Sequence, residues 1–195
     1  MFVVVAALAG SLVAAAAAVA TLALLTGGLH LDGLADSADG LLGGGNRERR
    51  LEIMRDPRRG SFGAIALVLV LIGEVAAVAE MTPARALIGL LVAGALSRLA
   101  MLAVVVLIPY ARSDGLGLMA QGKHRALDFV VGVLFSVIAC MLGGPRSLFA
   151  LLLVALATVA VVVLARRRIE GATGDVYGAC AELSQLAALL AFAAR

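Results

Sequence analysis

Six long runs of apolar residues follow one another along the chain, with short polar segments between them. They extend over residues 2–25, 62–79, 86–108, 129–142, 148–164 and 176–194; the fourth run is short and the sixth is amphipathic. Most of these runs approach the ~20 residues that a helix needs to cross a bilayer. We therefore predict an all-α fold, a polytopic membrane helix bundle of about six transmembrane helices.

The amino-acid composition agrees with a membrane protein and excludes an ordinary soluble one. Hydrophobic residues make up 63% of the 195 positions and charged residues only 15%. In soluble domains roughly a quarter of all residues are charged. No long polar linker or clear internal repeat divides the chain. We expect residues 1–195 to form a single integral membrane domain.

Basic residues are concentrated in the first, third and fifth connections between the apolar runs. Under the positive-inside rule these connections are cytoplasmic, and because they also hold the polar motifs, we expect an active face in the cytoplasm. This topology also explains the net charge of +3, and with two Tyr and no Trp we expect no nucleic-acid partner. The basic positions are Arg47, Arg49, Arg50, Arg55, Arg58, Arg59, Arg112, Lys123, Arg125, Arg166, Arg167 and Arg168.

The first polar motif, residues 28–40, contains three carboxylates and one histidine directly after an apolar run. On a helix Asp32, Asp36 and Asp39 fall at i, i+4 and i+7, so they project from one face. Clustered acids beside a bilayer are costly, and oxygen ligands without thiolates suit Mg²⁺ or Mn²⁺. We predict a metal site here. The alternative is a solvated helix face, or acids that interact with a helix dipole.

The second motif, residues 52–63, interleaves carboxylates with arginines. Arg55, Arg58 and Arg59, together with the earlier Arg47, are candidates for phosphate contacts, because guanidinium groups bind phosphate bidentately. Each of them is equally well explained as a topology signal that attracts anionic lipid. Asp56 would either complete the metal site or orient an arginine.

Two further motifs lie near the ends of later runs. Tyr110 and Arg112, followed by two glycines, are either ligand-binding residues or an interfacial anchor pair. Asp175 opens the last run and is either a binding residue or a helix cap. Glu182 lies inside that run, where an acid usually faces a polar interior. Glu74 and Arg98 also lie inside apolar runs, and we expect them to partner one another or the site.

The four motifs, in this order on a hydrophobic frame, resemble the cobalamin synthase family, the adenosylcobinamide-GDP ribazoletransferases. The resemblance runs from about Thr26 to Leu190. It is carried by Gly-Gly-Leu-His-x-Asp-Gly-Leu-Ala-Asp-x-Ala-Asp-Gly, Glu-Ile-Met-Arg-Asp, Gly-Ser-Phe-Gly, Pro-Tyr-Ala-Arg and Thr-Gly-Asp-x-x-Gly-Ala. Family members usually begin with a further segment that has an Arg-Leu-Pro-x-Pro-like motif, which we expect this chain to lack.

The resemblance implies an integral enzyme of the bacterial plasma membrane with Mg²⁺ as its cofactor. Such an enzyme joins adenosylcobinamide-GDP to α-ribazole, or to α-ribazole 5′-phosphate, and releases GMP at the end of vitamin B12 biosynthesis. These small molecules and membrane lipid are the expected partners, and a homo-oligomer is left open.

With that reaction, each candidate residue has an expected role. Asp32, Asp36, Asp39 and Asp56 would hold Mg²⁺ on the diphosphate, and the first three with His30 form the catalytic set. His30 is either the base that takes the acceptor proton or a partner to an aspartate. The substrate-binding set is Arg47, Arg55, Arg58, Arg59, Tyr110, Arg112, Asp175 and Glu182.

Two other classes of protein explain part of the same pattern. The spacing of Asp36, Asp39 and Gly40 is similar to that of CDP-alcohol phosphotransferases, although Gly43-Gly44 stands where those enzymes have Ala-Arg. An ion-coupled transporter would also place acids near a membrane, but its site would lie near the midplane rather than in loops on one face.

Overall fold

The chain is described by a computed structural model that covers residues 10–58, 60–115, 117 and 125–194. Within these residues the regular secondary structure is helical apart from one isolated β-bridge. The helices are α1 Ser11–Leu25, α2 Leu29–Leu42, α3 Arg47–Ile53, α4 Ser61–Ala79, α5 Pro83–Leu107, α6 Arg125–Gly143, α7 Pro145–Ile169 and α8 Gly174–Ala193.

Five of these helices, α4 to α8, are long and apolar enough to cross a membrane. A sixth span is counted if α1 and α2 form one crossing despite an 88° bend between them. The predicted all-α membrane bundle of about six helices is therefore confirmed. The first part of the apolar run at residues 2–25 lies outside the described residues, and the short helix α3 was not predicted.

The last helix, α8, is the most buried of the candidate spans and packs against α2, α4, α5 and α7. Its buried positions include the small residues Gly178, Ala179 and Ala181. Small side chains let helix backbones approach closely, which is how helices associate inside a membrane. The start of α2 is therefore held against the start of α8 by close approach of their backbones.

The bend between α1 and α2 is made by two consecutive glycines. Gly27 and Gly28 have φ of 60° and 72°, the left-handed region that other residues rarely adopt. The turn ends α1 at Leu25 and starts α2 in a new direction. The acidic motif therefore forms a helix of its own, which packs against α4 and α8.

The end of α2 is capped by Arg50, which is only 5% exposed. Its Nη1 donates to the carbonyl oxygens of Gly40 and Leu41 at 3.0 and 2.8 Å, and its Nε donates to that of Gly45 at 3.1 Å. A guanidinium satisfies several unpaired helix carbonyls at once. Arg50 thus fixes where the acidic helix stops.

The three basic connections meet at one end of the bundle. The backbone N–H of Ala111 donates to Ala172 at 2.8 Å, and that of Ala172 donates to Pro109 at 2.9 Å. Arg47 ties α3 to both loops, since its Nε donates to the Ile169 carbonyl at 3.1 Å and its Nη2 to the Ala111 carbonyl at 2.8 Å. A phosphate contact by Arg47 would have to compete with these bonds.

Candidate active site

A cleft of about 420 Å³ opens between the start of α2, the start of α8 and the segment that follows α5. His30 and Asp32 line it from α2, and Asp175 and Tyr177 line it from α8. Tyr110 lies opposite, with its ring centroid 6.3 Å from that of Tyr177. The cleft therefore combines acids and an imidazole with an aromatic wall.

An ion pair crosses the cleft between Arg112 and Asp175. Arg112 Nη1 lies 3.1 Å from Asp175 Oδ2, and the two side chains are 11% and 22% exposed. Thr173 Oγ1 donates to the same carboxylate oxygen at 3.0 Å and accepts the N–H of Val176 at 3.4 Å. Thr173 is thus the cap of α8, while Asp175 projects into the cleft.

The acids of α2 and α8 influence one another. The carboxylate of Asp36 interacts electrostatically with those of Asp175 and Asp39, which repel it, and with Arg112, which attracts it. The single positive charge of Arg112 therefore interacts with a larger number of carboxylates. The excess negative charge favours binding of a cation.

The close contact of α2 with α8 depends on Gly33 and Gly178. A Cβ on Gly33 would lie 2.7 Å from the Asp175 carbonyl oxygen, and one on Gly178 would lie 3.1 Å from the Cα of His30. Both distances are shorter than normal van der Waals contact. Gly33 of the acidic motif and Gly178 of α8 thus set the width of the cleft.

His30 lies where the cleft meets the interior of the bundle. Its Nδ1 is buried without a hydrogen-bond partner among the described residues, and it lies 3.9 Å from Glu182 Oε1. Glu182 is 6% exposed.

A buried polar network continues from Glu182 into the bundle. Gln185 Nε2 donates to Glu74 Oε1 at 3.0 Å, and Arg98 interacts electrostatically with both Glu74 and Glu182. Glu74 is 1% exposed and Gln185 4%. The prediction that Glu74 and Arg98 interact with one another or with the site agrees with this placement, and Gln185 completes the network.

Asp39 faces the start of α4. Its Oδ2 accepts the backbone N–H of Gly60 at 2.7 Å, and its Oδ1 accepts that of Gly63 at 2.8 Å. The first N–H groups of a helix have no partner within the helix, so a carboxylate here is a strong cap. Both oxygens of Asp39 are therefore engaged by the backbone. Metal binding by Asp39 would have to use its remaining lone pairs.

Asp56 binds an arginine in its own loop. Arg58 Nε and Nη2 contact its two oxygens at 3.0 and 2.8 Å, and these bonds lower the pKa of Asp56 to about 2. Of the two expected roles of Asp56, orienting an arginine matches this geometry. Arg55 pairs with exposed Asp114. Arg59 lies outside the described residues.

The predicted metal ligands are not gathered into a complete cage. No group of three or more His, Cys, Asp or Glu side chains within the described residues is arranged to hold a metal ion. Mg²⁺, however, is usually held by one or two carboxylates together with substrate phosphates and water. The mutual repulsion around Asp36 is the kind that a cation would relieve. The donor set fits Mg²⁺ that a diphosphate helps to hold.

From the sequence, no structural role was assigned to three residues that matter for this architecture. Arg50 was counted only as a topology signal, and Gln185 was given no role in the site. Thr173 was overlooked as the cap of α8, although a threonine just before an acid and an apolar run is a recognised start signal. For Gln185 the only sequence signal was a polar residue within an apolar run.

Fold and cleft together define an integral membrane helix bundle with an acidic, arginine-bearing site at one end. Comparison with known proteins identifies the family. Residues 1–193 match the model of the cobalamin-5-phosphate synthase family, and the chain belongs to that family. No solved structure matches the chain.

Curated relatives carry the name adenosylcobinamide-GDP ribazoletransferase. A protein of Pseudomonas savastanoi pv. phaseolicola is 44% identical over 172 residues, which are 87% of this chain and 71% of the relative. One of Azorhizobium caulinodans is 44% identical over 188 residues, 92% of this chain and 71% of the relative. A third, of Citrobacter koseri, is 40% identical over 179 residues, with 89% and 72% covered.

Proposed function

We propose that this chain transfers the phosphoryl group attached to adenosylcobinamide from adenosylcobinamide-GDP to a hydroxyl of α-ribazole or of α-ribazole 5′-phosphate. The acceptor oxygen forms the new bond to phosphorus, the bond to GMP breaks, and the acceptor proton passes to a base. The products are GMP and adenosylcobalamin, or adenosylcobalamin 5′-phosphate. Family membership supports this reaction over those of a CDP-alcohol phosphotransferase or a transporter.

The observation that carries the proposal is the cleft in which Asp32, Asp175 and Arg112 meet at one end of the bundle. Transfer from a nucleoside diphosphate requires its charge to be neutralised and the acceptor to be held in line. Asp32 and Asp36 are the residues that would hold Mg²⁺. When bound, the ion supplies charge neutralisation on the diphosphate and on the leaving GMP.

The remaining side chains orient the reactants. Arg112 pairs with Asp175 and attracts the carboxylate of Asp36, and its planar guanidinium would also bind phosphate oxygens. His30 borders the cleft, and its Nδ1 is turned to Glu182. Its Nε2 is then the atom that would take the acceptor proton or hydrogen-bond a neighbouring aspartate. The rings of Tyr110 and Tyr177, tilted by 39° to one another, offer aromatic surface to a base of the substrate.

The proposed location of this face is the cytoplasmic side of the bacterial plasma membrane. Arg47, Arg112 and Arg166 all lie in connections or helix ends that meet there, joined by the Tyr110–Ala172 bridge and the bonds of Arg47. A bias of arginines toward one side is the usual sign of the cytoplasmic side. Nucleotide substrates are found in that compartment.

Purified protein in lipid nanodiscs tests the proposal through two matched variants. Asp36→Asn removes a carboxylate of the proposed metal site, and we expect GMP release to fall by about 10²-fold or more. Asp128→Asn makes the same change at an exposed acid in the first turn of α6, and its rate should stay within about twofold of wild type. Equal rates in the two variants would contradict the assignment of the site.

A further inference from the structure

A second, mostly apolar groove of about 190 Å³ lies behind the acidic helix, on a different face of α2 from the cleft. Leu34, Ser37 and Leu41 line it from α2, while Ala66 of α4 and Leu164 of α7 form its sides. Its walls carry no charged side chain. The groove therefore suits a flexible apolar ligand rather than a nucleotide.

One polar atom in this groove has no partner. Ser37 is 4% exposed, and its Oγ makes no hydrogen bond among the described residues. Buried hydroxyls are nearly always paired with an acceptor or donor. A ligand that brings an oxygen atom into the apolar groove would satisfy this hydroxyl.

The groove opens between α4 and α7, both of which are candidate membrane spans. Within the described helices these two do not form a packed pair. Among the apolar side chains that line the groove, Leu42 is 52% exposed. In a membrane, what surrounds such an exposed side chain is lipid.

A basic residue follows the groove by one turn along α7. Val161 and Leu164 line it, and Arg168 follows them at i+7 and i+4 on the same face of α7. Arg168 is exposed and has no ion-pair partner among the described residues. A cation one turn beyond an apolar groove matches an anionic headgroup above its acyl chain.

We propose that this groove binds an anionic phospholipid of the leaflet that borders the catalytic face. One acyl chain of the lipid lies in the groove against α2. An ester oxygen accepts a hydrogen bond from the hydroxyl of Ser37, and the phosphate group lies against Arg168. The lipid thereby supports the helix that carries Asp32 and Asp36 from behind. This site is separate from the cleft and does not depend on the proposed reaction.

The test uses the full chain in nanodiscs that contain equal amounts of phosphatidylglycerol and phosphatidylcholine, followed by native mass spectrometry of lipid that stays bound in detergent. We expect wild type to retain phosphatidylglycerol. Ala66→Phe fills the groove and should lower the retained fraction by about tenfold. Ala64→Phe adds the same ring at an exposed position of α4 and should leave it unchanged.

Charge selectivity is tested at the two ends of α7. Arg168→Gln should abolish the preference for phosphatidylglycerol over phosphatidylcholine, whereas Arg146→Gln at the other end should not alter it. Equal retention of the two lipids by wild type, or equal effects of Ala66→Phe and Ala64→Phe, would overturn the proposal.

Photo-crosslinking of the wild-type protein tests the same site without any substitution. Phosphatidylglycerol with a photoreactive group on its acyl chain should form adducts mainly with residues of the groove, such as Leu42 and Leu164. Adducts distributed evenly over exposed apolar positions of α6, such as Phe135, would contradict a specific site.

Discussion

The carboxylate of Asp39 accepts the backbone N–H of Gly63 at 2.8 Å, which joins the acidic helix α2 to the start of α4. A second bond, from the N–H of Gly60 at 2.7 Å, uses the other carboxylate oxygen. The conspicuous third acid of the motif is thus part of a helix junction. Asp39 therefore has a structural role that does not require it to bind metal.

Asp39→Asn should therefore lower stability. The amide keeps one acceptor oxygen and turns an NH₂ group toward the other N–H donor, which is left unpaired. We expect the free energy of unfolding to fall by about 1–3 kcal/mol, measured as the thermal unfolding midpoint in nanodiscs. The Mg²⁺ concentration for half-maximal activity should not change. An unchanged midpoint with a raised Mg²⁺ requirement would instead make Asp39 a metal ligand.

The ion pair of Arg112 with Asp175 gives a second prediction. Breaking a mostly buried pair from one side typically costs about 3–5 kcal/mol, and Arg112→Gln leaves Asp175 facing Asp36 without a counter-charge. We expect a large loss of both stability and activity. Arg112→Gln combined with Asp175→Asn should recover part of the stability but not the activity.

Arg49→Gln is the matched control for that pair. Arg49 and Glu52 are 64% and 67% exposed, and exposed pairs contribute about 0–1 kcal/mol. The control should keep wild-type activity and stability. If Arg112→Gln behaves like Arg49→Gln in both assays, the ion pair has no role in the cleft.

The glycine contact between α2 and α8 gives a third prediction. Gly33→Ala places a methyl group where the Asp175 carbonyl oxygen is 2.7 Å away, so α2 must shift away from α8. Activity should fall with the protein still folded. Gly94→Ala is the control, because its Cβ would have no neighbour within 4 Å. Full activity of Gly33→Ala would show that the width of the cleft is not set by this contact.

The orientation of the bundle can be measured at Ser113, which is exposed in the segment after α5. With Cys140→Ser and Cys180→Ala as background, Ser113→Cys should react with a membrane-impermeant thiol reagent only after cells are opened. Labelling in intact cells would place the catalytic face outside and contradict the cytoplasmic assignment.

Much of the fold follows from the sequence because apolar runs near 20 residues have few other solutions in a membrane. The run at residues 86–108, for example, agrees within a few residues with α5 at Pro83–Leu107. The period of Asp32, Asp36 and Asp39 also predicts the helix α2 correctly. The bend before it depends on the φ angles of Gly27 and Gly28, which the apolar pattern does not encode.

The site was less predictable because its contacts join distant parts of the chain. Helical spacing puts Asp39 on the face of Asp36, but its partners at Gly60 and Gly63 depend on where α4 begins. Likewise, Arg47 was a reasonable phosphate candidate by residue type. Its bonds to Ile169 and Ala111 follow only from the meeting of three loops.

The most direct measurement is product formation by the purified wild-type protein. With adenosylcobinamide-GDP, α-ribazole and Mg²⁺, we expect one GMP for each adenosylcobalamin formed, and no GMP when α-ribazole is left out. Excess EDTA should stop both products, and added Mg²⁺ or Mn²⁺ should restore them. GMP release without adenosylcobalamin, or undiminished turnover in EDTA, would contradict a metal-assisted transfer to α-ribazole.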